Sequence, residues 1–385
     1  MKKSAIYLLI FLASISSSFA QAVKVEIQSE KNGFTMLRDG KPYYIKGACA
    51  WAHYDKLKAY GGNSIRLWTT ENAKYYLDKA HEHGLTVTLG LFLEPERKGF
   101  DYNDKAEVKK QFDFLKGEVL KHKDHPALLM WGIGNEVELF ATNPKVWNAI
   151  NDLAKMIKDV DPNHPTTTML AGVPEKEMSN IIKRCPDLDL LSINAFKDLE
   201  NVHTKLQAHG WKKPYIISEW GPDGYWETKT TKWDRFIEDN STVKAEQYKV
   251  RYERIIKPSK NQCLGSYVFL WGHKQERSHT YFSMILESGH ETEGVDVMKY
   301  LWTGKYPEHR APRIKEATIN NKGLRDNIYL KPGTKNTATV KLQEENTVGF
   351  TYYWEIIPES EDLRDGGEGE TKPPVLNTAI PNPLA

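Results

Sequence analysis

Eight short apolar runs, each separated from the next by a helical stretch, recur through most of this chain, and no other feature restricts its fold as much. They are YYIKGA near residue 43, SIRLW at 64–68, LTVTLGLFL at 85–93 and ALLMWGIG at 127–134, then TTTMLAG at 166–172, LDLLSINAF at 188–196, PYIISEW at 214–220 and LGSYVFLW at 264–271. Near-continuous apolar strands are buried on both faces, as parallel strands between a core and a layer of helices are. The intervening stretches have helical character. In NPKVWNAINDLAKMIKDV, from 143, Val146, Ile150, Leu153, Met156 and Ile157 keep the three-and-four spacing of one helix face. Eight such cycles predict an α/β chain folded as a closed (β/α)8 TIM barrel. A doubly wound open sheet is the competitor, but the first run leads into GACAWAHYDK, which carries neither G-x-G-x-x-G nor a lysine-ended phosphate loop.

The barrel is expected to occupy 23–310, entered through a hairpin whose turns are Asn32-Gly33 and Asp39-Gly40 and closed on its outer ring by EGVDVMKYLWTG. From 311 to 385 the pattern changes to short β-prone segments, IKEATIN, NIYLKPG, TATVKLQ and FTYYWEII, which predict a small β-sandwich, immunoglobulin-like module. It has fewer than the roughly 100 residues such a domain normally uses, so an incomplete version is expected. Residues 1–22 read as a signal peptide: Lys2 and Lys3 precede the apolar run AIYLLIFLASI and the small-residue stretch SSSFAQA, with cleavage expected after Ala20 or Ala22. The chain is therefore expected to be exported, to periplasm or exterior, with no transmembrane segment in its mature form.

Without Lys2 and Lys3 the 53 basic residues fall to 51, equal to the 51 acidic ones. A nucleic-acid partner needs clustered positive charge, and the interleaved charges here argue against one. Cys49, Cys185 and Cys263 show no C-x-x-C spacing and sit near apolar segments, so they are read as buried small hydrophobes. His81-Glu82-His83 lacks the H-E-x-x-H spacing, and no metal site or cofactor motif is expected.

Chemistry in such a barrel comes from residues at the C-terminal ends of the strands. The fourth run ends in GIGNEVE, which puts Asn135 and Glu136 at the rim, and the seventh ends in IISEWG, which puts Glu219 there. Two carboxylates across one barrel mouth can divide the work of breaking a glycosidic bond, one protonating the leaving oxygen while the other attacks the anomeric carbon. Asn135 can reach a sugar hydroxyl, and the charge of Arg66 on the second strand can keep Glu219 ionised. Trp51, Trp68 and Trp271 at strands one, two and eight, with Tyr225 and Trp226 after the Glu219 loop, are candidates to stack on pyranose rings.

With GNE at 134–136 and SEW at 218–220, the chain resembles the clan A glycoside hydrolases, over about 24–310, and within the clan it looks most like glycoside hydrolase family 158. The resemblance implies a retaining endo-β-1,3-glucanase acting on laminarin-type β-glucan, with an immunoglobulin-like domain after the barrel. It assigns general acid/base to Glu136, nucleophile to Glu219, contact with the substrate 2-hydroxyl to Asn135, and a place beside the nucleophile to Arg66. One departure stands out. Where many clan members have a tyrosine two residues after the asparagine ending strand six, Asn194-Ala195-Phe196 has phenylalanine, so a different donor must orient Glu219. The residues leave open a β-glucan transglycosylase, a β-mannanase, a β-1,4-glucanase and a non-catalytic carbohydrate-binding barrel.

Overall fold

The computed structural model describes residues 21–344, 349–364, 366 and 368–376. The expected signal segment therefore lies outside the described residues but for its last two positions. Strands β1 (Val25–Glu30), β2 (Gly33–Arg38) and β3 (Lys41–Pro42) form an antiparallel sheet that turns at Lys31-Asn32, one residue before the expected Asn32-Gly33 pair, and at the expected Asp39-Gly40 pair. Backbone bonds from Val25 and Phe34 to Asn163 and Asn261, and from the Arg38 guanidinium to the Pro126 carbonyl, fasten this sheet to loops that precede barrel strands. Val25 and Met36 pack with Ile45, Leu129, Leu190, Ile216 and Leu264, so the sheet plugs the bottom of the barrel. The opposite mouth stays accessible.

The barrel strands are β4 (Ile45–Cys49), β5 (Ser64–Leu67), β6 (Thr86–Leu91), β7 (Leu128–Asn135), β8 (Thr166–Ala171), β9 (Leu191–Asn194), β10 (Tyr215–Trp220) and β11 (Cys263–Val268). Every neighbouring pair is parallel, and β11 returns to β4, so the sheet is closed. Each strand is followed by a helix: α1 (Tyr54–Ala59), α2 (Ala73–Glu82), α3 (Lys105–His122), α4 (Lys145–Val160), α5 (Glu175–Arg184), α6 (Leu199–Ala208), α7 (Ser241–Arg251) and α8 (Glu293–Thr303). This is the predicted (β/α)8 barrel, all eight strands falling on the predicted runs. The α4 face drawn from periodicity, Val146, Ile150, Leu153, Met156 and Ile157, is buried. Two helices start on side-chain caps: Asp104 accepts from the amides of Ala106 and Glu107, and Asn240 from that of Val243.

Inside the barrel, Tyr267 of β11 donates or accepts at Ser64 (2.8 Å) and Thr88 (2.6 Å), which satisfies the one polar atom of a fully buried ring. A Cβ at Gly47 would stand 2.3 Å from that ring, so glycine is what lets β4 and β11 lie side by side there. The three cysteines are buried and unpaired. Among the described residues, no helix is long and apolar enough to cross a membrane.

Beyond the barrel, β12 (Ile314–Ile319), β13 (Lys322–Gly323) and β14 (Ala338–Leu342) make one antiparallel sheet with β12 in the centre. Thr242 at the start of α7 accepts from the Ile314 amide at 2.7 Å, and Asp296 of α8 from the Ala311 amide at 2.7 Å, so this sheet is tied to the outside of the barrel. No second sheet facing it occurs among the described residues. The segment that follows turns back to the barrel mouth: Glu370 pairs with Arg277, in the loop after β11.

Candidate active site

The mouth is assembled from the ends of β4, β5, β7, β9 and β10. Glu219, next to last in β10, is buried apart from about a tenth of its side chain. Its Oε1 accepts from Arg66 Nη1 at 2.5 Å and from Trp68 Nε1 at 3.0 Å, while no donor among the described residues reaches Oε2. Arg66 itself is fully buried on β5. A buried guanidinium needs a partner charge, and Glu219 supplies it. The second amine of Arg66 donates to Asn135 Oδ1 at 2.6 Å. Trp68 thus supplies the donor that the phenylalanine at 196 cannot.

Glu136 follows β7 on a sharp turn in which Gly134 (φ 71°) and Glu136 (φ 49°) both adopt the left-handed conformation. For a glutamate that backbone is costly, and it is held from both sides: the Glu136 amide donates to Met169 of β8 at 2.9 Å, and its carbonyl accepts from Arg97 in the loop after β6. The carboxyl accepts from Asn194 Nδ2 at 2.8 Å. Asn194, the last residue of β9, also donates to Asn135 Oδ1 at 3.2 Å and accepts from the Ser218 hydroxyl at 2.7 Å. Because that hydroxyl fixes the carbonyl end of the amide, its amino end faces Asn135 and Glu136. Two donors converge on Asn135 Oδ1, which turns the Asn135 amino group outward.

One continuous chain of contacts therefore links the two carboxylates: Glu219, Arg66, Asn135, Asn194, Glu136. Their electrostatics differ. Burial first, and the negative charge of Glu219 second, push the Glu136 carboxyl up to about 7, against a smaller opposing pull from Asn194, Arg66 and Arg97. Part of the residue's surface is accessible, yet the carboxyl lies where water solvates it poorly. Glu219 instead accepts from a guanidinium and an indole N–H, both at its Oε1.

The aromatic candidates divide. Trp51 is 43 % exposed and stacks on Trp68 with ring centroids 4.7 Å apart, and Trp226 is 55 % exposed, so these three indoles border open space at the mouth. Trp271 and Tyr225 do not serve as expected. Trp271 is 1 % exposed, packs against Tyr60 and Trp302, and donates to the His53 carbonyl, because the chain leaves β11 outward toward α8. Tyr225 is buried among Trp226, Phe236, Tyr281 and Phe282, with the Arg277 guanidinium over its ring at 4.2 Å. Both are wall packing.

Asn194 is the residue that sequence reasoning passed over. The sequence marks it only as the end of strand six, and its contacts reveal its place between Asn135 and Glu136. Glu96, after β6, accepts from the amides of Thr142 and Asn143 and the Thr142 hydroxyl, tying the loops after β6 and β7 together. Among the described residues no group of three or more His, Cys, Asp or Glu side chains is placed to hold a metal ion.

Residues 69–239, less than half of the chain, match the family model described as glycosyl hydrolases family 2, TIM barrel domain. Over those residues the barrel is similar to that of a glycoside hydrolase. Among curated proteins the chain is similar to a β-glucuronidase from Paenibacillus borealis, 24 % identical over 53 % of this chain and 38 % of that one, and to a β-galactosidase from Bacteroides ovatus, 26 % identical over 49 % of this chain and 27 % of that one. Among solved structures it is similar to a family 2 β-galacturonidase from Eisenbergiella tayi, with TM-score 0.55, 18 % identity, 74 % of this chain and 55 % of that one. A β-glucuronidase from Bacteroides uniformis superposes with TM-score 0.57, 13 % identity, 83 % of this chain and 48 % of that one. The chain spans less than half the length of the curated relatives it matches. These findings overturn the resemblance to family 158 and, with it, internal cleavage of a β-1,3-glucan. The motifs behind that resemblance, Asn-Glu after strand four and Glu after strand seven, leave the family, the sugar and the linkage unspecified. The β-glucan substrate that the resemblance implied goes with it.

Proposed function

We propose that this chain is a retaining exo-β-glycosidase that releases a terminal β-linked hexuronic acid or galactose, in the manner of β-glucuronidases and β-galactosidases. The observation that carries the reading is the linked pair of unequal carboxylates, with Glu136 raised to about 7 beside a Glu219 held by Arg66 and Trp68. Glu219 Oε2 attacks the anomeric carbon, while Glu136 donates its proton to the departing glycosidic oxygen. The glycosyl ester forms as the C1–O bond breaks. Glu136, now a carboxylate, takes a proton from water, whose oxygen attacks the same carbon and expels Glu219 with net retention. Asn135, its amino group turned outward by Arg66 and Asn194, donates to a sugar hydroxyl. Trp51 and Trp226 offer ring faces.

The test is turnover of 4-nitrophenyl β-glucuronide, β-galacturonide, β-galactoside and β-glucoside, with the product's anomeric form followed by NMR. One of the first three should be the best substrate and should yield the β-anomer first. Glu219→Ala should lose on the order of a thousandfold or more in kcat, about 4 kcal/mol of barrel-mouth stabilisation of the transition state. Glu136→Ala should keep activity on the good leaving group and be accelerated by azide with formation of a β-glycosyl azide. Initial release of the α-anomer sinks the reading. The order of basic, apolar and small residues over 1–22 supports export, which N-terminal sequencing of the mature protein checks.

A further inference from the structure

The described residues of 360–372 have little regular structure, yet two of them are buried: Ser360, 4 % exposed, and Glu370, whose side chain is completely covered. An irregular segment does not bury a carboxylate unless the site that receives it is built for it. Both oxygens of Glu370 are in use. Oε2 accepts from the Arg277 amide at 2.7 Å, and Oε1 accepts from the Arg277 guanidinium at 2.7 Å and from the Arg364 amide at 3.0 Å. Arg277 belongs to the loop that follows β11, the eighth barrel strand. From the same loop, Lys274 donates to the Gly366 carbonyl at 2.6 Å and to Glu276 at 2.6 Å. On the loop after β6, the third barrel strand, Lys98 pairs with Glu368 at 2.7 Å.

These anchors lie on the loops after strands eight and three, and barrel order puts strands one and two between them. Gly366 and Glu370 are both held on the loop after strand eight, and Glu368 between them, its side chain 74 % exposed, reaches Lys98 across the sector of strands one and two, whose ends carry Trp51 and Trp68. The supports of the stretch 366–370 reach the reacting groups. Lys274 lies 5.2 Å from the Phe269 ring, Phe269 packs edge-on against Trp68, and Trp68 donates to Glu219. Arg277 covers Tyr225, which backs the exposed Trp226.

We propose that this strap closes the glycone side of the sugar groove, so that a sugar chain enters only by its terminal residue, and that Glu368 and Glu370 are specificity-determining residues acting through the strap's position. The proposal rests on the exo reading above and adds its structural cause. An open groove along the Trp51–Trp68 ledge would accept a chain passing through; a strap pinned across that ledge leaves room for one terminal sugar.

The experiment uses the full chain with the strap released at either end: the double variant Glu368→Ala/Glu370→Ala, and separately Lys98→Ala, which leaves the loop after β11 intact. Hydrogen exchange over 360–372 reports release. Activity is read on an aryl β-glycoside and on two β-linked oligosaccharides of the same sugar class, one free and one blocked at O4 of its non-reducing terminal sugar. The wild type should cleave the blocked chain on the order of a hundredfold more slowly than the free one. Release should shrink that ratio to about tenfold or less, while kcat on the aryl glycoside stays within about threefold. An unchanged ratio in variants with a released strap overturns the proposal and leaves the exo reading intact. A strap that stays protected in both variants overturns it too, because the named anchors would then not hold it. A wild type that cleaves both chains equally defeats the exo reading itself.

Discussion

The Glu136 carboxyl is raised to about 7 partly by the charge of Glu219, so neutralising Glu219 should lower it, and the size of the drop can be worked out. Retaining carboxylate pairs stand about 5.5 Å apart. At an effective dielectric constant of about 20, two unit charges at that distance repel by roughly 3 kcal/mol. With about 1.4 kcal/mol to a pKa unit, that is a shift of about two units. The mouth admits some solvent at Glu136, which weakens the interaction, so a fall of between about one and two units is expected in Glu219→Gln. The sign is fixed: with less negative charge nearby, the Glu136 carboxylate forms more readily and its pKa drops toward the ordinary range. The assay is a carboxyl carbon NMR titration of protein labelled in glutamate, with Glu136→Gln identifying the resonance. In the active wild type, kcat/KM should fall along an alkaline limb near pH 7, because that quantity reports the free enzyme, in which the acid must hold its proton. In the proposed mechanism the same electrostatics let one residue serve as both acid and base: esterifying Glu219 removes its charge, which favours ionisation of Glu136 in time to activate water. If Glu136 titrates unchanged or higher in Glu219→Gln, burial alone sets it and the coupling of the two carboxylates is refuted.

Three further outcomes follow from the same contacts. Trp68→Phe removes the indole donor to Glu219 and should cost about ten- to a hundredfold in kcat/KM, as expected for a hydrogen bond to a charged group, without lowering the melting temperature much. Asn194→Ala removes the donor that favours ionised Glu136, so the alkaline limb of kcat/KM should move to higher pH as kcat falls; a limb that moves lower contradicts the contact. Glu138, buried on the same loop with its Oε1 accepting from the Ala171 amide, is pushed up to about 8, chiefly by burial. Its folded value lies above its unfolded one, so the folded state is penalised increasingly as pH rises from about 4.5 through 8; Glu138→Gln should gain up to a few kcal/mol over wild type in melts at pH 9 and almost nothing at pH 4.

The barrel was legible because its strands are buried on both faces. Runs such as TVTLGL of β6, all six residues covered, can be recognised by apolarity alone, and helix faces such as that of α4 show their own period. The C-terminal region was harder to read. Its segments are short and largely exposed, and turn chemistry alone does not say whether a segment pairs with another strand or lies along the barrel. IKEATIN and TATVKLQ pair as β12 and β14, whereas NIYLKPG and FTYYWEII form no strand of four or more residues among the described ones. A strap has no periodicity at all. ESEDLRDGGEGETKPP reads as a solvated acidic loop, and one of its acids, Glu370, is nevertheless enclosed by Arg277, 93 residues earlier in the chain.

The same distinction governs the site. Glu136, Glu219, Asn135 and Arg66 could be picked out because each sits at a strand end, where the barrel itself dictates which way a residue faces. Asn194 sits at such an end too, and it went unassigned because its task depends on a side chain from a neighbouring strand: without Ser218 to hold its carbonyl, its amino group need not face Glu136. Trp271 and Tyr225 failed for the opposite reason. They lie just past strand ends, where the chain has already begun to turn away, and an aromatic ring packs as readily into the barrel wall as against a sugar. Position along a strand therefore identifies the groups that meet at the mouth, and the loops that pass over it lie beyond what strand position dictates. That is why the pairing of GNE with SEW could be read from the sequence while the family could not. In this chain the loops at the mouth include a stretch from beyond the barrel, held at Arg277, Lys274 and Lys98, so the proposed difference between cutting within a sugar chain and trimming its end rests on residues whose sequence carries no sign of chemistry.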